Sequence, residues 1–148
     1  MVRIQGETVV RRPVQEVFDF VADERNEPRF NPRMTRAEQL TAGPVGRGTR
    51  WGTTVVSRGG PREMVTEVTE FDPPYLIGSR TLVGDSEITG TVCFAPEGAG
   101  TRMRWCWQVQ PHGWMRLLGP VIAHVGGRQE REIWEGMRRC LEGSTGTR

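Results

Sequence analysis

The chain has 148 residues, the length of one ordinary domain. Its formal net charge is +2, and its basic residues, all arginines, are scattered among almost as many acidic ones. Nucleic-acid binding needs a concentrated basic stripe, so we expect no nucleic-acid partner and ascribe the missing lysines to a GC-rich, bacterial-type genome. No run of apolar residues reaches the length of a membrane-spanning helix. Without an export signal, we expect a cytoplasmic location.

The N-terminal segment predicts a strand followed by a helix. Residues 3–11 place Ile4 and Val10 on one face of a strand. Residues 13–23 begin with proline, which suits the first turn of a helix, and carry apolar side chains at helical spacing. Residues 26–32 hold two prolines and predict a second short helix or a turn.

The middle of the chain predicts an antiparallel meander of six strands. Short segments rich in β-branched residues alternate with turns containing glycine or proline, which is typical of such a sheet. The clearest is the last, where apolar and polar residues alternate over ten positions. The six predicted strands are 34–41, 49–57, 62–71, 75–82, 87–95 and 101–110.

Residues 114–141 predict a long C-terminal helix with two apolar faces. Residues 117–125 form one face and residues 133–141 another, so the helix must break, curve or bury both. Gly119-Pro120 and Gly126-Gly127 are the natural joints. The glycine pair indicates either a break or a space left for a ligand. We assign 1–143 to a single domain and 144–148 to a frayed tail.

Four segments along the chain carry a resemblance to a known family: Val9–Asp23, Gly46–Trp51, Val68–Pro74 and Gly100–Trp105. In this order they resemble the START/SRPBCC superfamily, specifically its polyketide cyclase/dehydrase-like branch. The resemblance implies an α+β helix-grip fold, in which a curved antiparallel sheet of about seven strands wraps around the C-terminal helix. It also implies a cavity between sheet and helix for a small apolar ligand. The superfamily hosts several functions, so it implies no particular reaction.

Aromatic and apolar residues on the predicted inner faces are the candidate ligand-binding residues. Trp105 and Trp107 share one strand face and would offer a flat aromatic wall to a ring system. Ordinary core packing is the alternative for the same residues. The complete candidate set is Trp51, Met64, Thr66, Met103, Trp105, Trp107, Leu118, Ile122 and Gly126.

Candidate catalytic residues are few. Arg80, His112 and Tyr75 are the polar groups best placed for acid–base or charge-stabilising roles, although a surface location is the alternative for each. The three cysteines and two histidines show no metal-ligand spacing. Hydrolase, phosphate-binding and dinucleotide motifs are missing as well. We therefore expect neither a metal nor a cofactor.

Three functional hypotheses remain open. The first is a module that binds a small hydrophobic or polycyclic ligand, lipid-like or polyketide-like, between sheet and helix. The second is a polyketide cyclase or dehydratase that holds a flexible chain in a reactive shape. The third is an interaction domain that contacts a protein or membrane through residues 111–118, with Trp114, Leu117 and Leu118 exposed. The chain would be a monomer or a homodimer.

Overall fold

A computed structural model describes residues 1–111 and 113–143, with the side chain of Trp114 left out. The predicted roles of His112 and of the tail 144–148 lie outside these described residues. Seven strands, two α-helices and two short 3₁₀ helices follow one another along the chain. They are β1 Val2–Val10, α1 Val14–Ala22, a first 3₁₀ helix Glu24–Arg29, β2 Met34–Gln39, β3 Arg50–Ser57, β4 Gly60–Asp72, β5 Leu76–Val83, β6 Ser86–Glu97, β7 Gly100–Gln110, a second 3₁₀ helix Gly113–Leu118 and α2 Gly119–Gly143.

The seven strands form one antiparallel sheet with the order β1-β7-β6-β5-β4-β3-β2. β2 to β7 are the predicted meander, and each predicted strand agrees with the structure to within two residues at either end. β1 returns to pair with β7, with Ile4 opposite Trp107. The predicted α+β architecture, a curved seven-stranded sheet with a long C-terminal helix, is confirmed.

The hydrophobic core fills one end of the space between the sheet and the helices. The apolar stripe of α1 places Val17 and Phe18 against the inner face of β6 and β7. Phe18 meets the ring of Phe94 edge-on, with centroids 5.3 Å apart. From the other side, α2 contributes Met137 and Leu141 to the same cluster.

The C-terminal helix differs from its prediction at both joints. Residues 113–118 form a 3₁₀ helix, and α2 begins only at Gly119, so that Pro120 occupies the first turn, where its missing N–H costs nothing. Across Gly126-Gly127 the helix is continuous. A Cβ at Gly126 would lie 2.5 Å from the Cδ1 atom of Ile4, so this glycine lets α2 approach β1 closely.

Much of the first apolar face of the C-terminal region is exposed. Leu117 is 84% exposed, and Val121 and Val125 are also open to solvent. Only the second predicted face, which carries Met137 and Leu141, packs into the core. A partner or membrane contact at 111–118 stays a prediction. No helix among the described residues is long and apolar enough to cross a membrane.

Gly136 lets α2 pack closely against the end of the first 3₁₀ helix. A Cβ there would lie 2.7 Å from the carbonyl oxygen of Phe30, whereas a Cβ at Gly127 meets no described atom within 4 Å. We expect Gly136→Ala to destabilise the fold by about 1–2 kcal/mol, because the clash exceeds the helix-propensity gain of about 1 kcal/mol. Gly127→Ala should keep that gain. Thermal unfolding compares them, and equal stabilisation by both would contradict this packing.

Candidate functional site

A cavity of about 220 Å³ lies between the inner face of the sheet and the helices that cover it. Core side chains fill one part of the space between sheet and helices, and the cavity occupies the other part. Along β7, Met103 and Trp105 belong to the core, while Trp107 and Val109 line the cavity. These four share one face, because side chains alternate along a strand. The helices close the cavity with Ala22, Glu24, Glu27, Glu130, Ile133 and Trp134.

Four of the predicted ligand-binding residues line this cavity. Trp51 and Trp107 supply indole rings from β3 and β7, and Met64 and Thr66 lie on β4 between them. The Thr66 hydroxyl shares a hydrogen bond of 2.8 Å with the hydroxyl of Thr81. The cavity wall is therefore mostly apolar, and on β4 and β5 its two threonine hydroxyls satisfy each other.

The other predicted ligand-binding residues are placed away from the cavity wall. Met103 is fully buried in the core, and Trp105 packs against Trp134 with ring centroids 5.9 Å apart. Leu118 and Ile122 are half-buried near the start of the C-terminal helix. Gly126 faces Ile4 of β1.

The candidate catalytic residues that the structure describes face solvent. Arg80 is exposed on β5, and its Nε atom donates to the Glu87 carboxylate at 2.6 Å. Tyr75 is 51% exposed at the turn before β5. Neither residue lines the cavity, so neither is in position to touch a bound molecule there.

Three glutamates that the sequence reasoning did not select line the cavity instead. Glu24 and Glu27 lie on the first 3₁₀ helix, and Glu130 lies on α2. The Glu130 carboxylate accepts a hydrogen bond of 2.8 Å from the indole nitrogen of Trp134, one helical turn away. The Glu27 carboxylate accepts one of 3.1 Å from the amide of Asn31.

Burial and mutual repulsion disfavour the charged forms of these carboxyl groups. As whole residues Glu24 and Glu27 are half-buried, but the carboxyl groups themselves lie deep. Burial, together with the charges of Glu27 and Asp23, raises the pKa of Glu24 to about 8. Burial raises the pKa of Glu27 to about 7; the Asn31 hydrogen bond opposes the rise and the charge of Glu130 adds to it.

The pKa of Glu130 is also raised, mainly by burial. The indole groups of Trp107 and Trp134 oppose this rise, because an N–H directed at a carboxyl group favours its ionised form. The Trp107 nitrogen itself does not reach hydrogen-bond geometry. Burial therefore favours the protonated form of all three cavity carboxyl groups.

Two other polar groups at the cavity have no hydrogen-bond partner among the described residues. They are the indole N–H of Trp51, which is fully buried, and the hydroxyl of Thr53, which is 1% exposed. Buried polar groups are normally satisfied, and an unsatisfied one costs about 1–3 kcal/mol. No group of three His, Cys, Asp or Glu side chains is placed to hold a metal ion within 1–111 and 113–143.

The antiparallel sheet, the long C-terminal helix and the cavity between them define a helix-grip fold of the START type. A family model described as polyketide cyclase / dehydrase and lipid transport matches residues 1–142. The chain belongs to this family, and the predicted resemblance is confirmed. A comparison with curated protein sequences finds no match.

Solved structures share the fold at low sequence identity. TTHA0849 from Thermus thermophilus is 18% identical, with a TM-score of 0.82 and coverage of 96% of this chain and 98% of that one. A START superfamily protein from Mycobacterium smegmatis is 16% identical, with a TM-score of 0.81 and coverage of 95% and 97%. The di-domain ARO/CYC BexL from the BE-7585A biosynthetic pathway is 20% identical, with a TM-score of 0.78; 96% of this chain matches 47% of it.

Proposed function

We propose that the protein binds a small, ring-bearing apolar molecule in the cavity between sheet and C-terminal helix. The observation that carries this proposal is the unfilled space of about 220 Å³ beside a well-packed core. Interiors pack densely, and voids larger than a water molecule are few. A space of this size, walled by the rings of Trp51 and Trp107, is suited to a guest.

The size of the cavity restricts the guest. An apolar cavity of about 150 Å³ is enough for benzene, whereas drug-sized pockets begin at about 300 Å³. A molecule of one or two rings therefore suits this cavity better than an extended lipid or a large polycycle. Its affinity would come from burying apolar surface, at about 25 cal/mol for each Å² removed from water.

Filling the cavity from the helix side tests this proposal. Ala22, the last residue of α1, lines the cavity, whereas Ala95 is exposed on β6. We expect Ala22→Phe to weaken binding of the neutral probe naphthylethanol at least about tenfold, which is 1.4 kcal/mol, because the new ring occupies its space. Isothermal titration calorimetry measures the affinity.

Ala95→Phe adds the same ring outside the cavity and is the matched control. Its affinity for naphthylethanol should equal that of the wild type. If the wild type binds neither naphthylethanol nor other one- or two-ring probes, the binding proposal is wrong. Equal affinities of the Ala22→Phe variant and the wild type would place the probe elsewhere.

A cyclase or dehydratase is the second candidate, and the buried glutamates favour it. A carboxyl group with a pKa near neutrality can both donate and accept a proton, and Glu24 and Glu27 have pKa values of about 8 and about 7. Both face the space where a substrate would lie. Formation of a ring-closed product from a linear poly-β-ketone would distinguish this enzyme from a binding module.

A further inference from the structure

The charged side chains that line the cavity within the described residues are all acidic. Glu24, Glu27 and Glu130 face it, and none of them forms an ion pair with a described arginine. Glu7 and Glu63 on the surface are different, since contacts with arginine side chains help to lower their pKa values. The cavity thus holds carboxyl groups for which the chain provides no described cation.

The aromatic walls of the same cavity favour a cation. Trp51, Trp107 and Trp134 line it together with the three glutamates. An indole face attracts an ammonium group by about 0.5–2 kcal/mol, most strongly where water is excluded. Trp51 already has one cation nearby, because the guanidinium carbon of Arg25 lies 6.0 Å from its ring centroid.

The unpartnered polar groups are an independent sign that a polar ligand atom is missing. Thr53 and Trp51 are both residues of the cavity wall, and the Thr53 hydroxyl and the Trp51 N–H are fully buried without a described hydrogen-bond partner. A hydroxyl oxygen can accept a hydrogen bond from an ammonium group. An ammonium group can therefore satisfy the Thr53 hydroxyl, whereas the Trp51 N–H is itself a donor and needs an acceptor elsewhere on the guest.

We propose that the guest is an organic ammonium ion: a one- or two-ring amine whose protonated nitrogen binds among Glu24, Glu27 and Glu130 beside the tryptophan rings. This inference rests on the proposed ligand-binding function and narrows its ligand class. The ring system fills the apolar part of the cavity, and the ammonium group donates hydrogen bonds to the carboxylates. It supplies the positive charge that the described cavity wall lacks.

Three probes that share a naphthalene ring and a two-carbon side chain, and end in a positive, a neutral or a negative group, test the proposal: naphthylethylamine, naphthylethanol and the anion of naphthaleneacetic acid, called the acetate below. We expect calorimetry near neutral pH to show the amine binding at least about tenfold more tightly than the alcohol. The acetate should bind most weakly, because its buried negative charge finds no cationic side chain among the described cavity residues. Equal affinity for amine and alcohol would overturn the ammonium proposal while leaving the binding function intact. If no probe binds, the binding function itself fails.

A conservative variant tests whether the glutamates cause the preference for the amine over the alcohol. Glu130→Gln keeps a carbonyl oxygen to accept from Trp134 and removes the negative charge. We expect it to lower amine affinity several-fold and to leave alcohol affinity unchanged. Glu132, exposed on the same helix and 4.0 Å from Arg33, is the control: Glu132→Gln should preserve the selectivity. Unchanged selectivity in both Glu130→Gln and Glu27→Gln would also overturn the proposal.

Proton release provides a second readout. An ammonium guest favours ionised carboxylates, so binding should release protons, and the heat measured by calorimetry should vary with the ionisation enthalpy of the buffer. Besides one another, the groups that act on these carboxyls are Asp23, Asn31, Trp107 and Trp134. Arg25 is already paired with Asp23 at 2.8 Å. Amine binding without proton release would contradict a site at these glutamates.

Discussion

Phe18→Ala is expected to destabilise the fold by about 3–5 kcal/mol, the usual cost of removing a fully buried phenylalanine. Phe18 is 1% exposed and makes edge-on contacts with Phe94 and Phe71, at centroid distances of 5.3 and 5.4 Å. Each such pair is worth about 0.5–1.5 kcal/mol beyond area burial. The variant therefore loses both its burial and its partners, and it leaves a void between α1 and the sheet.

Phe20→Ala is the control for this loss. Phe20 lies on the same helix but is only half-buried, with its ring tilted against Phe30 at 5.8 Å. Urea unfolding should show a large drop in midpoint for Phe18→Ala and a much smaller one for Phe20→Ala, with similar slopes. Equal losses would mean that Phe18 is not the centre of the α1 contact. Because Phe18 does not line the cavity, the Phe18→Ala variant should still bind naphthylethanol at urea concentrations below its unfolding midpoint.

The strands and the first helix could be predicted because their signals are local. On β7, alternation alone separates buried Met103 and Trp105 from outward Arg104. The same signal cannot separate Trp105 from Trp107, since both share one face. Trp105 is core because Trp134 packs on it, whereas Trp107 borders the cavity. That difference depends on which helix residues pack against this face of β7.

The acidic end of the cavity has no local signal. Glu24 and Glu27 precede Glu130 by more than a hundred residues, and only the packing of the first 3₁₀ helix on α2 brings their carboxyl groups together. A glutamate in a polar helical turn has every appearance of a surface residue. One weak sequence signal exists for Glu130. It lies three residues before Ile133 and four before Trp134, which places it on the same helical face as these two residues.

The continuity of α2 also depends on tertiary packing. A glycine pair inside a helix costs about 1 kcal/mol per residue, which makes a break the natural expectation. Packing against β1 offsets this cost at Gly126, where a Cβ would lie 2.5 Å from the Cδ1 atom of Ile4 and would force that side chain to move. The packing of α2 against the sheet therefore keeps the helix continuous. The sequence of the helix alone does not contain this information.

The stability of the ligand-free protein is expected to decrease as the pH rises from about 5 to about 8, because of the cavity glutamates. A carboxyl group whose pKa is higher in the folded than in the unfolded state binds more protons when folded. Its contribution is complete below the unfolded pKa, near 4.5, and is lost as the pH rises through the folded pKa. For Glu24 and Glu27 the folded values are about 8 and about 7.

The slope expected from one such proton is about 1.4 kcal/mol per pH unit, and partial contact with solvent reduces it. Glu130, with its raised pKa, contributes in the same direction. The surface acids Glu7, Asp23 and Glu63 have lowered pKa values. They are already ionised across this range, and the stability they provide is lost only at lower pH. The cavity glutamates therefore determine whether stability rises or falls with pH in this range.

The Glu24→Gln, Glu27→Gln double variant should flatten this dependence, because glutamine does not titrate. Urea unfolding at about pH 5, pH 6.5 and pH 8 measures the free energy of unfolding across the window. Replacing the exposed Glu38 and Glu132 by glutamine makes the same chemical change at two surface carboxyl groups and should retain the wild-type slope. A wild-type protein that becomes more stable towards pH 8 would show that these carboxyl groups are ionised without cost. An ammonium guest should also reduce the slope, because binding stabilises the folded protein in which the carboxylates have lost their protons.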